Sequence, residues 1–370
     1  MRIALFSGNY NYLREGANQA LNRLAGYLGR NGHQVRVYSP VTDTPAFEPE
    51  GELVPVPSIS LPIRREFRLA LGLPRAVRED VRRFDPDVVH VSTPDILGTR
   101  AQTFAKRLGV PVVASLHTRF ETYFRYYGLG ALRPPAEAHL RRFYRRSDHV
   151  LAPTPVIVEE MKRLRGDDRV TLWSRGVDRD LFDPKRRDPE WRRAHGFADD
   201  DVVLLFFGRL VVEKGIADFV STVLALRQRP IRIRPLIVGA GPARHRFEPL
   251  GDAVFAGHLE GPALARAVAS ADILLHPSQT EAFGNVVPEA MASGLAVVCA
   301  EAQSARALAA GGRSIVICRP EGFADEVAEL YRNAGRRRAL GILARQESAR
   351  FDWDEASSSV LKAYESVIGA

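Results

Sequence analysis

The string TEAFGNVVPEAMASG, Thr280 to Gly294, sets two carboxylates, Glu281 and Glu289, around a turn. Pro288 lacks an N–H and is tolerated only in the first turn of a helix, so a helix is expected to begin at about Asn285 to Val287. Main-chain N–H groups around Phe283, Gly284 and Asn285 would then point out of its N-terminus, where the helix dipole favours an anion. Carboxylates accept hydrogen bonds from vicinal hydroxyls, as in a ribose or a hexose. Amides for phosphate plus two acceptors for hydroxyls match what a nucleotide-sugar requires. The plain alternative is that both glutamates only favour the helix start. A second string, FFGRLVVEKG from Phe206 to Gly215, ends an apolar run and then places Arg209 and Lys214 on the following loop. Such a pair can grip a diphosphate and offset the charge it gains on leaving, or be two solvated cations. The third candidate is His117, at the end of the apolar run PVVASLH. An imidazole there can hydrogen-bond a sugar hydroxyl or polarise a reacting centre, although a strand-end histidine in isolation is more often structural.

Each candidate follows a short apolar run, so the elements that position them read as strands of a parallel sheet. RIALFS, QVRVYS, DVVHVS and PVVASLH alternate with helical stretches such as QALNRLAGYLGRNG and TRAQTFAKRLG. The pattern then restarts with VVLLFFGRL, IRPLIVGAG, AVFAGHL, ADILLHPS, LAVVCAE and SIVICRP. Buried strands separated by helices imply an α/β architecture of doubly wound sheets, whose ligands bind at the carboxyl edge. Two series mean two domains, as 370 residues also suggest. We place an N-terminal domain at 1–172, a linker at 173–190, a C-terminal domain at 191–350 and a final helix at 351–370. The linker assignment rests on Gly176, Pro184, Pro189 and dense charge.

Composition narrows the classes. Hydrophobic content of 45% and charged content of 26% indicate a folded chain rather than a disordered one. Two cysteines, Cys299 and Cys318, cannot build a disulfide framework. The N-terminus reads as a buried first strand, not a signal peptide, and no run is long and apolar enough to span a bilayer. The expected location is cytoplasmic, or peripheral on the cytoplasmic membrane face. Net charge is +8, mostly from arginine, which suits phosphorylated ligands or an anionic membrane surface. No zinc-finger or RNP pattern appears, and nucleic acid is not an expected partner.

The strings HPSQTEAFGNVVPEAMASG and FFGRLVVEKG together resemble the GT-B glycosyltransferases of family 4, retaining nucleotide-sugar enzymes, over nearly the whole chain. Glu281 and Glu289 match that family's E-x7-E element, and Arg209 and Lys214 its phosphate-binding pair. LHTRFETYFRYYGLG (Leu116 to Gly130) and WSRGVD (Trp173 to Asp178) are similar to the branch holding GDP-mannose-dependent mannosyltransferases and sulfoquinovosyl-diacylglycerol synthases. The resemblance implies two Rossmann-like domains facing a cleft, with the nucleotide-sugar donor on the C-terminal one and the acceptor on the N-terminal one. It implies His117, Arg209, Lys214 and Glu281 as catalytic groups. Donor contacts are implied at Gly16, Gly239, Phe283, Gly284, Asn285, Val286 and Glu289, with Glu289 at the ribose. No protein nucleophile, cofactor or metal is expected, front-side attack being the usual proposal for retaining enzymes of this type. The final helix is expected on the N-terminal domain, anchored by Trp353.

The first strand–helix loop, SGNYNYLREGANQALNRL, departs from the family's glycine-rich turn. Only Gly8 and Gly16 are present, with Arg14 and Glu15 in reach of substrate. Two D-x-D strings, Asp85-Pro86-Asp87 and Asp199-Asp200-Asp201, precede strands and so lie at the amino edge, where turn and capping roles are expected. VGAGPAR (Val238 to Arg244) lacks the third glycine of a dinucleotide fingerprint, so Gly239 and Gly241 read as a tight turn near the nucleotide. His276 shows no ligand spacing. LPIRREFRLALGLPRAVREDVRRF holds arginines 64, 65, 68, 75, 78, 82 and 83, and RRFYRR adds 141, 142, 145 and 146. This basic amphipathic surface suits anionic headgroups and a lipid or glycolipid acceptor. Other readings are an epimerase or sugar phosphorylase on the same frame, a polysaccharide-building transferase with a soluble acceptor, or a non-catalytic membrane-binding module.

Overall fold

The computed structural model describes residues 1–12, 16–60, 68–117, 133–309 and 312–369. Arg14, Glu15, Arg64, Arg65, Glu66 and residues 118–130 of the Leu116–Gly130 motif lie outside them. Two compact units divide the chain at Arg175/Gly176, and the segment from Trp353 belongs to the first unit.

The first unit is built on β1 (Arg2–Phe6), β2 (Gln34–Ser39), β3 (Glu52–Pro55), β6 (Val88–Val91), β7 (Val112–Ser115), β8 (His149–Ala152) and β9 (Val170–Leu172). These strands form one sheet in the order β3-β2-β1-β6-β7-β8-β9. Every pairing in it is parallel. A separate antiparallel hairpin joins β4 (Ser58–Ser60) to β5 (Arg68–Ala70). Helices cover both faces, so β6 and β7 are buried at every position and consist almost wholly of apolar residues. Strand order reverses between β1 and β6, the point at which open α/β sheets place a ligand crevice.

In the second unit the six strands are β10 (Val202–Phe207), β11 (Ile233–Val238), β12 (Val254–Gly257), β13 (Ile273–His276), β14 (Ala296–Ala300) and β15 (Ile315–Cys318). Their order is β12-β11-β10-β13-β14-β15, again with parallel pairings. The reversal here falls between β10 and β13. The Arg209 loop leaves one of these strands and His276 ends the other, so geometry alone brings them together.

Each apolar run named above is a strand, whereas β3, β4, β5, β8 and β9 were not read from the sequence. They are three or four residues long, and β3, β4, β5 and β9 are partly exposed, so they lack the continuous apolar run of a strand buried on both faces. The stretch 173–190 is not a free linker. Trp173 is fully buried in the first unit's core, while Val177, Phe182 and Trp191 belong to the second unit's core. Its prolines and aspartates start helices instead: Asp188 accepts from the N–H groups of Glu190 and Trp191 at 2.9 Å and caps the helix Pro189–Ala194. The final helix, Trp353–Ile368, packs on Gly16–Arg30 through Ala356, Val360, Ala363 and Tyr364. Its deepest anchor is Tyr364, completely buried, whereas Trp353 sits at the margin beneath the Arg23 guanidinium at 5.1 Å.

The D-x-D carboxylates have structural partners. Asp85 is the left-handed cap of the helix Arg75–Phe84, Asp87 accepts from the Arg2 N–H at 2.6 Å, and Asp201 accepts from the Ala198 N–H at 2.8 Å.

Burial also makes the fold acid-sensitive. It pushes the pKa of His90 down from 6.5 to about 3 and that of His149 to about 4. Below pH 6.5 the unfolded chain binds protons that these folded imidazoles refuse, so stability must fall as pH is lowered toward those values. A fully buried site such as His90 contributes up to about 1.4 kcal/mol per pH unit. Denaturation midpoints should therefore drop between about pH 6.5 and about pH 5, before ordinary carboxylates titrate. A flat profile there would contradict this.

Candidate active site

Three of the sequence-predicted groups converge at the reversal point of the second unit. β10 ends at Phe207, the chain turns at Gly208 into Arg209, and a single 3-10 turn, Val212–Lys214, delivers Lys214 before the helix Ile216–Arg227 begins. The Ser278 hydroxyl donates to Glu213 O at 3.1 Å and ties this turn to the loop after β13. Lys214 Nζ consequently meets the Glu281 carboxylate in a direct ion pair, with side-chain exposures of 26% and 16%. Arg209 is near enough for its charge to act on the same carboxylate.

His276 completes the group, and sequence reasoning had set it aside. Its Nε2 lies 3.8 Å from Glu281 Oε1, is buried, and has no hydrogen-bond partner. The signal was available: like His117, it closes an apolar strand at the carboxyl edge. Burial is the largest influence on Glu281 and works against its charge, but Lys214, His276 and Arg209 together outweigh it and hold the carboxyl below its ordinary range. Burial pushes His276 down to about 4, outweighing the attraction of Glu281, with a smaller push from Lys214. The cluster at neutral pH is therefore a lysine cation, a carboxylate and a neutral imidazole.

The helix predicted from Pro288 runs from Val286 to Ala292. Its first bonds are Val287 N to Gly284 O at 3.0 Å and Glu289 N to Asn285 O at 3.3 Å, so the N–H groups of Phe283, Gly284, Asn285 and Val286 stand ahead of the ladder. Gly284 holds φ near +90°, and a Cβ there would lie 3.6 Å from His276 Nε2 and 3.7 Å from Glu281 Cβ. Those are ordinary contacts, so it is the positive φ rather than lack of space that calls for glycine in this turn. Phe283 is expected to contribute its main chain; its side chain is a core group standing edge-on to Phe351 at 6.1 Å. Glu289 lies in the first helical turn, half-buried.

Gly239 has an evident structural cause. At φ near +140° its Cβ would stand 1.9 Å from Gly208 O, because the loops after β10 and β11 lie against each other, with Leu210 N bonded to Ala240 O at 2.9 Å. It shapes the Arg209 loop whatever else it does.

Gly16 and His117 belong to the first unit. Gly16 opens the helix Gly16–Arg30. His117 follows β7, its ring edge-on to Trp173 at 5.1 Å. Both ring nitrogens are engaged internally, Nε2 with Ser115 Oγ at 2.8 Å and Nδ1 with Arg175 Nη2 at 2.7 Å. Burial, then the charge of Arg175, hold its pKa well below 6.5, so the ring is neutral. The expected hydrogen bond to a sugar requires one of these partners to give way.

Residues 14–181 match the model for Glycosyltransferase Family 4, and residues 201–333 match that for Glycosyl transferases group 1. A GDP-mannose-dependent alpha-mannosyltransferase of Mycolicibacterium smegmatis is 35% identical over 379 residues, covering 100% of this chain and 98% of the relative. The chain belongs to glycosyltransferase family 4. Another relative, Sulfoquinovosyl transferase SQD2 of Arabidopsis thaliana, is 30% identical over 97% of this chain and 72% of its own. Sucrose-phosphate synthase from Thermosynechococcus elongatus superposes with a TM-score of 0.81 at 18% identity, covering 100% and 99% of the two chains, which gives the GT-B fold. This chain is a nucleotide-sugar glycosyltransferase of the hexosyltransferase class. No helix among its described residues is long and apolar enough to cross a membrane.

Replacing Lys214 by Met leaves Glu281 buried beside a neutral histidine. The variant should lose about 1–3 kcal/mol of stability, and Lys214→Met with Glu281→Gln should recover part of it. Denaturant melts of the two single and the double variants measure the coupling; strict additivity would mean that the pair is energetically idle.

Proposed function

We propose that this glycosyltransferase moves a hexosyl unit, with retention and without a metal, from a nucleotide-sugar to a hydroxyl of a membrane lipid or glycolipid. A GDP-linked hexose, mannose first, is the donor we favour, supported by the 35% identical mannosyltransferase that matches end to end. A UDP-linked sulfoquinovosyl donor is the second reading, favoured by the plant relative.

The observation that carries the reading is the cluster of Arg209, Lys214 and Glu281 beside the N-terminal turn at Phe283 to Val286. The two cations stabilise the departing diphosphate, doing by fixed charge what a metal does elsewhere. Glu281 positions the transferred sugar, Glu289 holds the ribose, and the turn amides and Gly239 complete the donor contacts we assign to the second unit; His117 and Gly16 are the donor contacts we assign to the first. The leaving phosphate assists deprotonation of the acceptor hydroxyl, so no protein nucleophile is assigned.

A lipid acceptor is supported by the first unit's surface. Arg141, Arg142 and Arg145 are exposed on the helix Arg133–Arg146, and Ile59, in the middle of β4, and Leu71, just after β5, are 51% and 63% exposed. Arg75 and Arg83 are already paired with Glu79 and Asp80, and contribute less.

A thermal-shift panel of GDP- and UDP-sugars tests the donor, since binding to the folded state alone raises the transition by mass action. A shift with GDP-mannose and none with UDP-sugars is expected; the reverse would move the assignment to the second reading, and no shift with any donor would refute both. Lys214→Ala should lose on the order of a hundredfold or more in kcat, whereas Glu289→Ala should mainly raise the donor KM. Transfer should be faster with acceptor lipid in anionic vesicles than in neutral ones, and independent of added chelator.

A further inference from the structure

His117 is one member of a buried hydrogen-bonded chain in the first unit. Arg175 Nη2 lies 2.7 Å from His117 Nδ1, His117 Nε2 2.8 Å from Ser115 Oγ, Ser115 Oγ 2.9 Å from His90 Nε2, and His90 Nδ1 2.6 Å from the Tyr364 hydroxyl. The last step spans 274 residues of sequence and reaches the C-terminal helix. His90 and Tyr364 are fully buried, and so is Ser115.

The chemistry of the groups gives the chain a direction. A guanidinium has donors only, so His117 Nδ1 accepts. A neutral ring that accepts at Nδ1 carries its proton on Nε2 and donates it to Ser115 Oγ. The serine hydrogen then has His90 Nε2 as acceptor, which leaves the His90 proton on Nδ1, directed at Tyr364. A protonated His117 would set donor against donor at Arg175, so the arrangement also excludes the imidazolium. Arg175 is itself held in place: its Nη1 donates to the carbonyls of Trp173 at 2.9 Å and Ser174 at 3.1 Å, and its guanidinium lies 4.7 Å from the centre of the Trp173 ring.

We propose that Arg175, Ser115, His90 and Tyr364 are positioning residues for His117, fixing its ring as the neutral Nε2–H tautomer and making the docked C-terminal helix part of what holds it. The proposal rests on the reading of His117 as a sugar-positioning group. A neutral ring whose orientation is set from both sides adds no positive charge of its own, and a sugar hydroxyl bonds it by displacing Ser115 or Arg175 from one nitrogen. Breaking the chain at Arg175 frees the ring to rotate, change tautomer and titrate.

The test is 15N NMR of the full-length protein labelled at histidine, with His117 and His90 assigned by His117→Gln and His90→Gln. The wild type should show His117 as Nε2–H and His90 as Nδ1–H, neither titrating between about pH 7.5 and about pH 5.5. Arg175→Met should release His117 into a tautomer mixture that titrates, whereas Ser115→Ala, which leaves the Arg175 donor in place, should keep the Nε2–H tautomer but shift its Nε2 signal, and Ser115→Thr, which restores a hydroxyl, should return that signal. Tyr364→Phe should alter His90 first. In turnover, Ser115→Ala and Tyr364→Phe should lower kcat on the order of tenfold to a hundredfold while leaving the affinity for the free nucleoside diphosphate unchanged. A wild-type His117 found as Nδ1–H, or a His117 signal unmoved by Ser115→Ala in a folded protein, overturns the proposal. Failure of the wild type to bind any nucleotide-sugar would instead overturn the function reading, and the tautomer result would stand or fall separately.

Discussion

A carboxylate taken out of water stays ionised only while positive charge stays beside it, and Glu281 is held under that condition. Its main cation, Lys214, arrives from the next-door strand by way of one 3-10 turn, and that turn is fixed by the Ser278 hydrogen bond to Glu213 O. Gly284 is bent against the acid from the other side. The loops after β10 and β13 thus define one another. Lys214 and Glu281 satisfy each other's charge across that seam. Mutual compensation is what lets two charges be this far removed from water.

The first unit solves the same problem in the opposite way. Arg175 is 3% exposed, and burial lowers its pKa to about 9. Its described contacts are two carbonyl dipoles, an imidazole lone pair and an aromatic face, all of them neutral. Dipoles can hold a guanidinium because it is delocalised and weakly hydrated, which a lysine ammonium is not. One carboxyl edge therefore carries a charge pair and the other a chain of neutral dipoles ending in a single cation. Two sheets of like topology have been given different electrostatic character by the residues that close their strands.

How much of this could be read beforehand depends on how local each cause is. The long apolar runs announced their strands because sheets covered on both faces need continuous hydrophobic sequence. Arg209, Lys214 and Glu281 were legible because each follows such a run, and strand ends on one sheet edge must meet. Pro288 located its helix to within a residue. Causes acting across the chain left no such mark. The stretch 173–190 looked like a linker because its buried groups, Trp173, Val177 and Phe182, are divided between two cores and show no common period. His276 was set aside because the spacing of metal ligands was sought around it, whereas its partner comes from packing. Phe283 was counted at the donor for its main chain, and nothing local revealed that its ring belongs to the core.

The hydrogen-bonded chain to Tyr364 shows the limit most clearly. Ser115 and His117 are two apart and share a side of the strand end, so their contact is implicit in the period of β7. His90 comes from the neighbouring strand, in register with Val113 of β7, and parallel pairing makes it a neighbour. Tyr364 and Arg175 come from segments that sequence alone places nowhere near β7. Yet burying His90 without a partner for either nitrogen would leave polar atoms unsatisfied in the centre of a sheet, which costs more than most single contacts contribute. The final helix therefore does two things with one hydroxyl. It closes the apolar face beside Gly16–Arg30, and it satisfies the imidazole on which the order of the chain to His117 depends.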